Sequence, residues 1–117
     1  MNKEELRLRT KAFALRVLKL IRALPREIGA KAVAGQLVRS CMSVGANYRA
    51  SLRGRSRAEW LSKLNVCLEE SDECEYWMEM IIGDGMLPAK RVTPLLKEAG
   101  ELTAIFAAAI KTGRGEN

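Results

Sequence analysis

The 117-residue chain contains no histidine. That absence excludes His-based catalytic triads, His-ligated zinc, histidine-held haem and the Glu-x-x-His ligand pairs of di-iron bundles. Cysteine is scarce and odd in number: Cys41, Cys67 and Cys74 include no Cys-x-x-Cys pair, so neither a disulfide framework nor a zinc knuckle is indicated. On one helix, Cys67 and Cys74 would stand about 10 Å apart, too far for a bridge. They read as small buried hydrophobes in a reducing compartment. No uninterrupted apolar run approaches the roughly 18 residues of a membrane span. Met1 to Thr10 carries five charges where a signal peptide would place apolar residues. A cytoplasmic protein without membrane association is expected.

What remains is ample for one core. Apolar residues make up 48% and charged ones 29%, which fits a single folded domain over residues 1–117. Pro25, Pro88, Pro94 and most glycines fall where helical patterns stop, and no alternating strand-like run lies between them. The chain therefore reads as all-α, with helices over about 4–24, 30–52, 57–82 and 89–111. Their short connections favour an antiparallel up-down-up-down four-helix bundle.

Leu6, Phe13, Val17, Leu20 and Leu24 form the first buried stripe; Val33, Leu37, Cys41, Val44, Tyr48 and Leu52 form the second. Trp60 or Leu61, Leu64, Cys67 or Leu68, Ser71, Cys74, Met78 and Ile81 serve the third helix, and Leu95, Ala99, Leu102, Phe106 and Ala109 the fourth. Ser40, Ser43, Gly45, Ala46, Asn47, Ala50 and Ser51 suggest a small-residue surface on the second helix, against which a neighbouring backbone could come close. Ser56-Arg57-Ala58-Glu59 has the form of a capping box, with Ser56 accepting from the Glu59 amide while the Glu59 carboxylate reaches back. Pro94 leaves two starts for the last helix: a first turn from Pro88 kinked at Pro94, or a Thr93 cap with Pro94 at the first position.

Charge is unevenly spread. The net charge is +6, yet residues 1–57 hold fourteen Lys or Arg against three Glu, and residues 58–117 hold six against eleven acids. Opposite signs on neighbouring helices attract, while an unneutralised basic surface attracts polyanions.

The runs Gln36-Leu37-Val38-Arg39-Ser40, Ser43-Val44-Gly45-Ala46-Asn47, Arg55-Ser56-Arg57-Ala58-Glu59-Trp60-Leu61 and Leu68-Glu69-Glu70-Ser71-Asp72-Glu73 resemble the bacterial four-helix-bundle proteins encoded in intervening sequences of large-subunit ribosomal RNA genes. The likeness is strongest over Gln36 to Ile82; the outer helices agree in length and pattern. It implies an antiparallel bundle, assembly into a homopentameric barrel and no established catalytic activity. The family is also distantly similar to the accessory protein of diversity-generating retroelements, a basic pentamer that works with a reverse transcriptase and RNA. Many members carry proline two residues before the asparagine and an acid three after it, where this chain has Gly45 and Ala50 and is more basic.

Arg49, Arg53, Arg55 and Arg57 are the leading candidates for phosphate contact, since guanidinium forks suit phosphate oxygens. Arg9, Arg16, Lys19, Arg22 and Arg26 form a second possible track on the first helix. With aromatics at 5%, binding would be led by shape and charge rather than base reading. Arg39 and Asn47, facing Glu70 and Glu73, are expected to form a polar network inside the bundle. The same acids could be drawn as paired carboxylates or metal ligands, but acids three apart on a charged helix more often form salt bridges. No metal, cofactor or catalytic group is expected. Two functions follow as expectations: a non-enzymatic, homo-oligomeric scaffold associating with RNA or an RNA-handling protein, or a purely structural oligomer whose basic residues pair with the acidic third helix.

Overall fold

The computed structural model describes residues 1–115. Four helices occupy most of that length: α1 (Lys3–Ile21), α2 (Ile28–Ser51), α3 (Arg57–Gly83) and α4 (Ala89–Gly113). The all-α expectation holds, and most of each expected stripe is buried; Leu24, Leu52 and Ala109 are only half-buried, the first two lying just past the ends of their helices. Boundaries shift by one to three residues, and two of the shifts have a visible cause. α1 ends at Ile21 rather than Leu24, because Ala23 and Leu24 donate to Leu20 and Ile21 in tight turns ahead of Pro25, which disfavours helical geometry in the residue before it. α2 starts at Ile28 because the Glu27 carboxylate accepts from the Gly29 and Ala30 amides, an N-cap made by a residue type that seldom serves as one. At α4, Pro94 lies inside the helix, which begins at Ala89. Thr93 does not cap; its hydroxyl donates to the Ala89 carbonyl at 2.8 Å.

Each helix packs on two neighbours, in the cycle α1–α2–α3–α4, with α1 and α4 meeting most loosely. Numbers fall on one helix as they rise on the next. Thr10 lies against Gly45 while Ile21 borders one groove with Ala30, Arg39 reaches Glu73 while Val44 meets Cys67, Ser71 meets Thr103 while Arg57 reaches Gly113, and Arg9 reaches Glu98 while Lys19 shares a groove with Arg91. Every adjacent pair is thus antiparallel, as short connections require. The result is a rod 44 × 24 × 21 Å, consistent with helices rising about 1.5 Å per residue.

Phe13, Val17, Leu37, Val44, Leu64, Met78, Ile81, Leu102 and Phe106 fill the centre, all fully buried or nearly so. The three cysteines join them as free thiols. Burial pushes Cys41 up to about 11 and Cys67 up to about 12, the behaviour of packing groups rather than nucleophiles. The small residues of α2 do not share one surface. Ser40 and Ser51 are buried, whereas Ala46 faces solvent. Among the described residues, no helix is long and apolar enough to cross a membrane.

Candidate nucleic-acid interface

The α2–α3 turn presents one concentration of exposed positive charge. Arg53 and Gly54 donate to Ala50 and Ser51, closing α2, and Ser56 Oγ accepts from the Glu59 amide at 3.1 Å, opening α3. The Glu59 carboxylate does reach back, but to the Arg55 amide. This double anchoring leaves the Arg53 and Arg55 side chains pointing into solvent. Arg55 is 92% exposed, and its guanidinium is 3.9 Å from Glu59, the outer edge of an ion pair. Arg53, Arg55 and Lys63 line a shallow cavity of about 430 Å³ in which, among the described residues, Glu59 is the one acid.

Arg57 and Arg49 leave this cluster. Arg57 Nη1 donates to the Gly113 carbonyl at 2.6 Å and so satisfies a backbone group at the end of α4, where intrahelical donors run out. Arg49 stands on the α1–α2 side. There, with Arg7 and Lys11, it rims a groove of about 290 Å³ floored by Leu15, Leu18 and Met42.

The α1 track also divides. Arg9 forks onto Glu98 of α4 at 2.7 and 2.6 Å and reaches Glu101 at 2.9 Å, so its charge ties α1 to α4 instead of facing a polyanion. The Glu98 hydrogen bonds raise its pKa still further, against the opposing effect of partial burial. Arg16 and Lys19 join Arg91 of α4 along a second groove, about 260 Å³, with no carboxylate among the described residues of its wall. Arg22 and Arg26 meet Lys31 beside the α1–α2 turn. Arg91, Lys31 and Lys63 were not singled out from sequence, because their position beside the other bases depends on how the helices are rotated against each other.

The expected polar network exists, with altered membership. Arg39 Nη1 donates to Glu70 at 2.8 Å, and Arg39 Nη2 donates to Glu73 and to Ser40. Ser40 Oγ and Trp77 Nε1 complete the Glu73 contacts at 3.0 and 3.1 Å. Asn47 is absent from it. Its amide donates to Ser43 O and Oγ, both at 2.9 Å, one turn back on its own helix. Nor is the network inside the bundle: Arg39 remains 52% exposed, so it closes the outer seam between α2 and α3. Partial burial tends to raise the Glu73 pKa, but hydrogen bonds from Trp77, Ser40 and Arg39 outweigh it and hold the carboxyl below its ordinary range. Both acids are thus engaged by a guanidinium.

The 23S rRNA-intervening sequence protein family model matches residues 4–108. The chain belongs to that family. Membership therefore extends over all four helices, including α1 and α4, where the sequence likeness was weakest. The crystal structure of a Bacteroides thetaiotaomicron protein of unknown function from the S23 ribosomal protein family superimposes with a TM-score of 0.86 at 29% identity, covering 95% of this chain and 99% of the other. A search of curated protein sequences returns no match. The intervening sequence protein thus carries a four-helix bundle together with local gatherings of cations at the α2–α3 turn, along α1–α4, along α1–α2 and beside the α1–α2 turn.

Proposed function

We propose that this intervening sequence protein is a non-enzymatic, self-associating cytoplasmic scaffold that associates with RNA, held by its phosphate backbone, or with an RNA-handling partner protein. The observation that carries the reading is the exposed Arg53–Arg55–Lys63 cluster, where one carboxylate faces three cations. The Arg16–Lys19–Arg91 groove extends it as a second track. Phosphate contact supplies affinity with little sequence preference, in keeping with a surface whose cations, among the described residues, have no stacked aromatic pair beside them. Repetition of each patch around a ring, a pentamer by analogy with similar proteins, would multiply weak contacts through avidity.

Fluorescence anisotropy with structured RNA across a salt series tests this. Affinity should fall steeply with salt. Arg53→Glu combined with Arg55→Glu should weaken binding at least about tenfold and flatten the log–log salt slope by about 1 to 2. Salt-indifferent affinity, or affinity unchanged in the double variant, defeats the proposal. The rival reading, in which basic residues serve only to pair with α3, finds limited support within one subunit: among the described residues only Arg39, and Arg55 at 3.9 Å, form ion pairs with α3 carboxylates.

A further inference from the structure

The α1–α2 groove and the outer face of α3 complement each other, and we infer that α3 of one copy docks into the α1–α2 groove of the next. This rests on the self-association proposed above and adds the two surfaces and their direction. The groove is apolar at its centre, where Leu15 and Met42 are 58% and 46% exposed. Lys11 and Arg49 flank that centre, Arg22 and Lys31 continue the flank toward the α1–α2 turn, and among the described residues neither stretch is lined by a carboxylate. Arg7 belongs to the same rim but is partly satisfied by Glu4.

The α3 face has the opposite composition. Glu69, Asp72, Tyr76 and Met80 recur at helical spacing on the side away from buried Cys67, Ser71, Cys74 and Met78. Tyr76 and Met80 are 53% and 40% exposed, an unusual apolar centre on an acidic helix surface. Among the described residues, Glu69 and Asp72 make no ion pair in their own subunit, so their charge is available to another.

Dimensions agree as well. Arg7 to Leu18 and Glu69 to Met80 each span about 16 Å along a helix. An apolar centre with a charged rim is the usual anatomy of a specific interface, and the opposed signs would set the register. RNA fits the groove less well, since its floor offers nothing to a phosphate. α1 and α3 occupy opposite corners of the bundle, so the two faces cannot meet within one subunit. Because the faces differ, the contact is heterologous: every copy presents one groove and one stripe, and assembly proceeds head to tail until it closes. Arg49 and Arg22 then lie in the seam, leaving Arg53, Arg55, Arg16 and Lys19 for the polyanion.

Analytical ultracentrifugation of the full chain at micromolar concentration, with helicity checked by circular dichroism, decides the matter. A groove variant, Leu15→Arg with Met42→Arg, and a stripe variant, Tyr76→Arg with Met80→Arg, alter exposed positions only. Each should be monomeric alone. Mixed in equal amounts they should form a dimer and nothing larger, because one intact stripe meets one intact groove while the remaining faces are both blocked. The milder Lys11→Glu with Arg49→Glu should give the same monomer as the first variant, which guards against misfolding as the cause. A wild-type chain that is itself monomeric overturns the self-association reading. A wild-type oligomer that persists in either variant, or two monomeric variants that ignore each other, overturns the assigned surfaces and leaves self-association standing.

Discussion

Glu73 shows how one carboxylate can join two helices and two kinds of donor. Its group receives a guanidinium, a hydroxyl and an indole N–H, and the net effect is a pKa below the ordinary 4.5. A depressed carboxyl contributes stability at pH values above its unfolded pKa, and that contribution disappears as pH falls through the lower folded value. Glu73→Gln should therefore lower the melting temperature at neutral pH, with the difference from wild type closing as pH falls below the ordinary carboxylate range and through the lowered Glu73 pKa. A gap that persists in acid would mean that packing, rather than charge, is what Gln disturbs. Gly45 makes the opposite case. A Cβ there would meet Thr10 at 3.5 Å, an ordinary van der Waals contact, so α1 does not come close enough to demand glycine. Gly45→Ala should raise stability in urea by about 0.5–1 kcal/mol by relieving the helical cost of glycine. A loss would contradict that spacing.

At the scale of elements, the helix ends do more than stop helices. The end of α4 is held by Arg57 from α3, and Trp60 and Leu61 of the same helix press onto Gly113. A Cβ at that glycine would lie 2.5 Å from the Trp60 ring and 2.8 Å from Leu61. Gly113→Ala should cost about 1–3 kcal/mol in denaturant unfolding, the range for overpacking, even though alanine is the better helix former. The contrast with Gly45 is purely tertiary. Sequence periodicity made the four helices and their buried stripes legible, because an amphipathic stripe is a property of consecutive turns. The Glu27 cap was not legible, since glutamate is a poor prior for that position and only the turn after Pro25 brings its carboxylate over the free amides.

The whole molecule is a cycle of antiparallel contacts with one loose edge, between α1 and α4. Arg9 bridges that edge with a two-pronged contact to Glu98, whose side chain is only 15% exposed. Arg9→Ala should destabilise the fold by about 1.5–3 kcal/mol, the range for hydrogen bonds to charged groups. Amide exchange should accelerate along α1 before the other helices. Uniform acceleration would show that the bundle opens as one unit. The same edge carries the Arg16–Lys19–Arg91 groove, so a cation that stabilises the fold and cations free to meet a polyanion lie on one seam.

Helix number, buried faces, the Ser56 cap and the contrast in charge between the two halves followed from the amino-acid order alone, since each depends on neighbours within a turn or two. Which cations stay free did not. Arg9 and Arg57 were drawn to α4, Asn47 turned back on its own helix, and Arg91 and Lys63 joined clusters formed by distant residues. An ion pair needs its partners within about 4 Å, so the rotation of each helix against the next decides whether an arginine joins two helices or faces solvent.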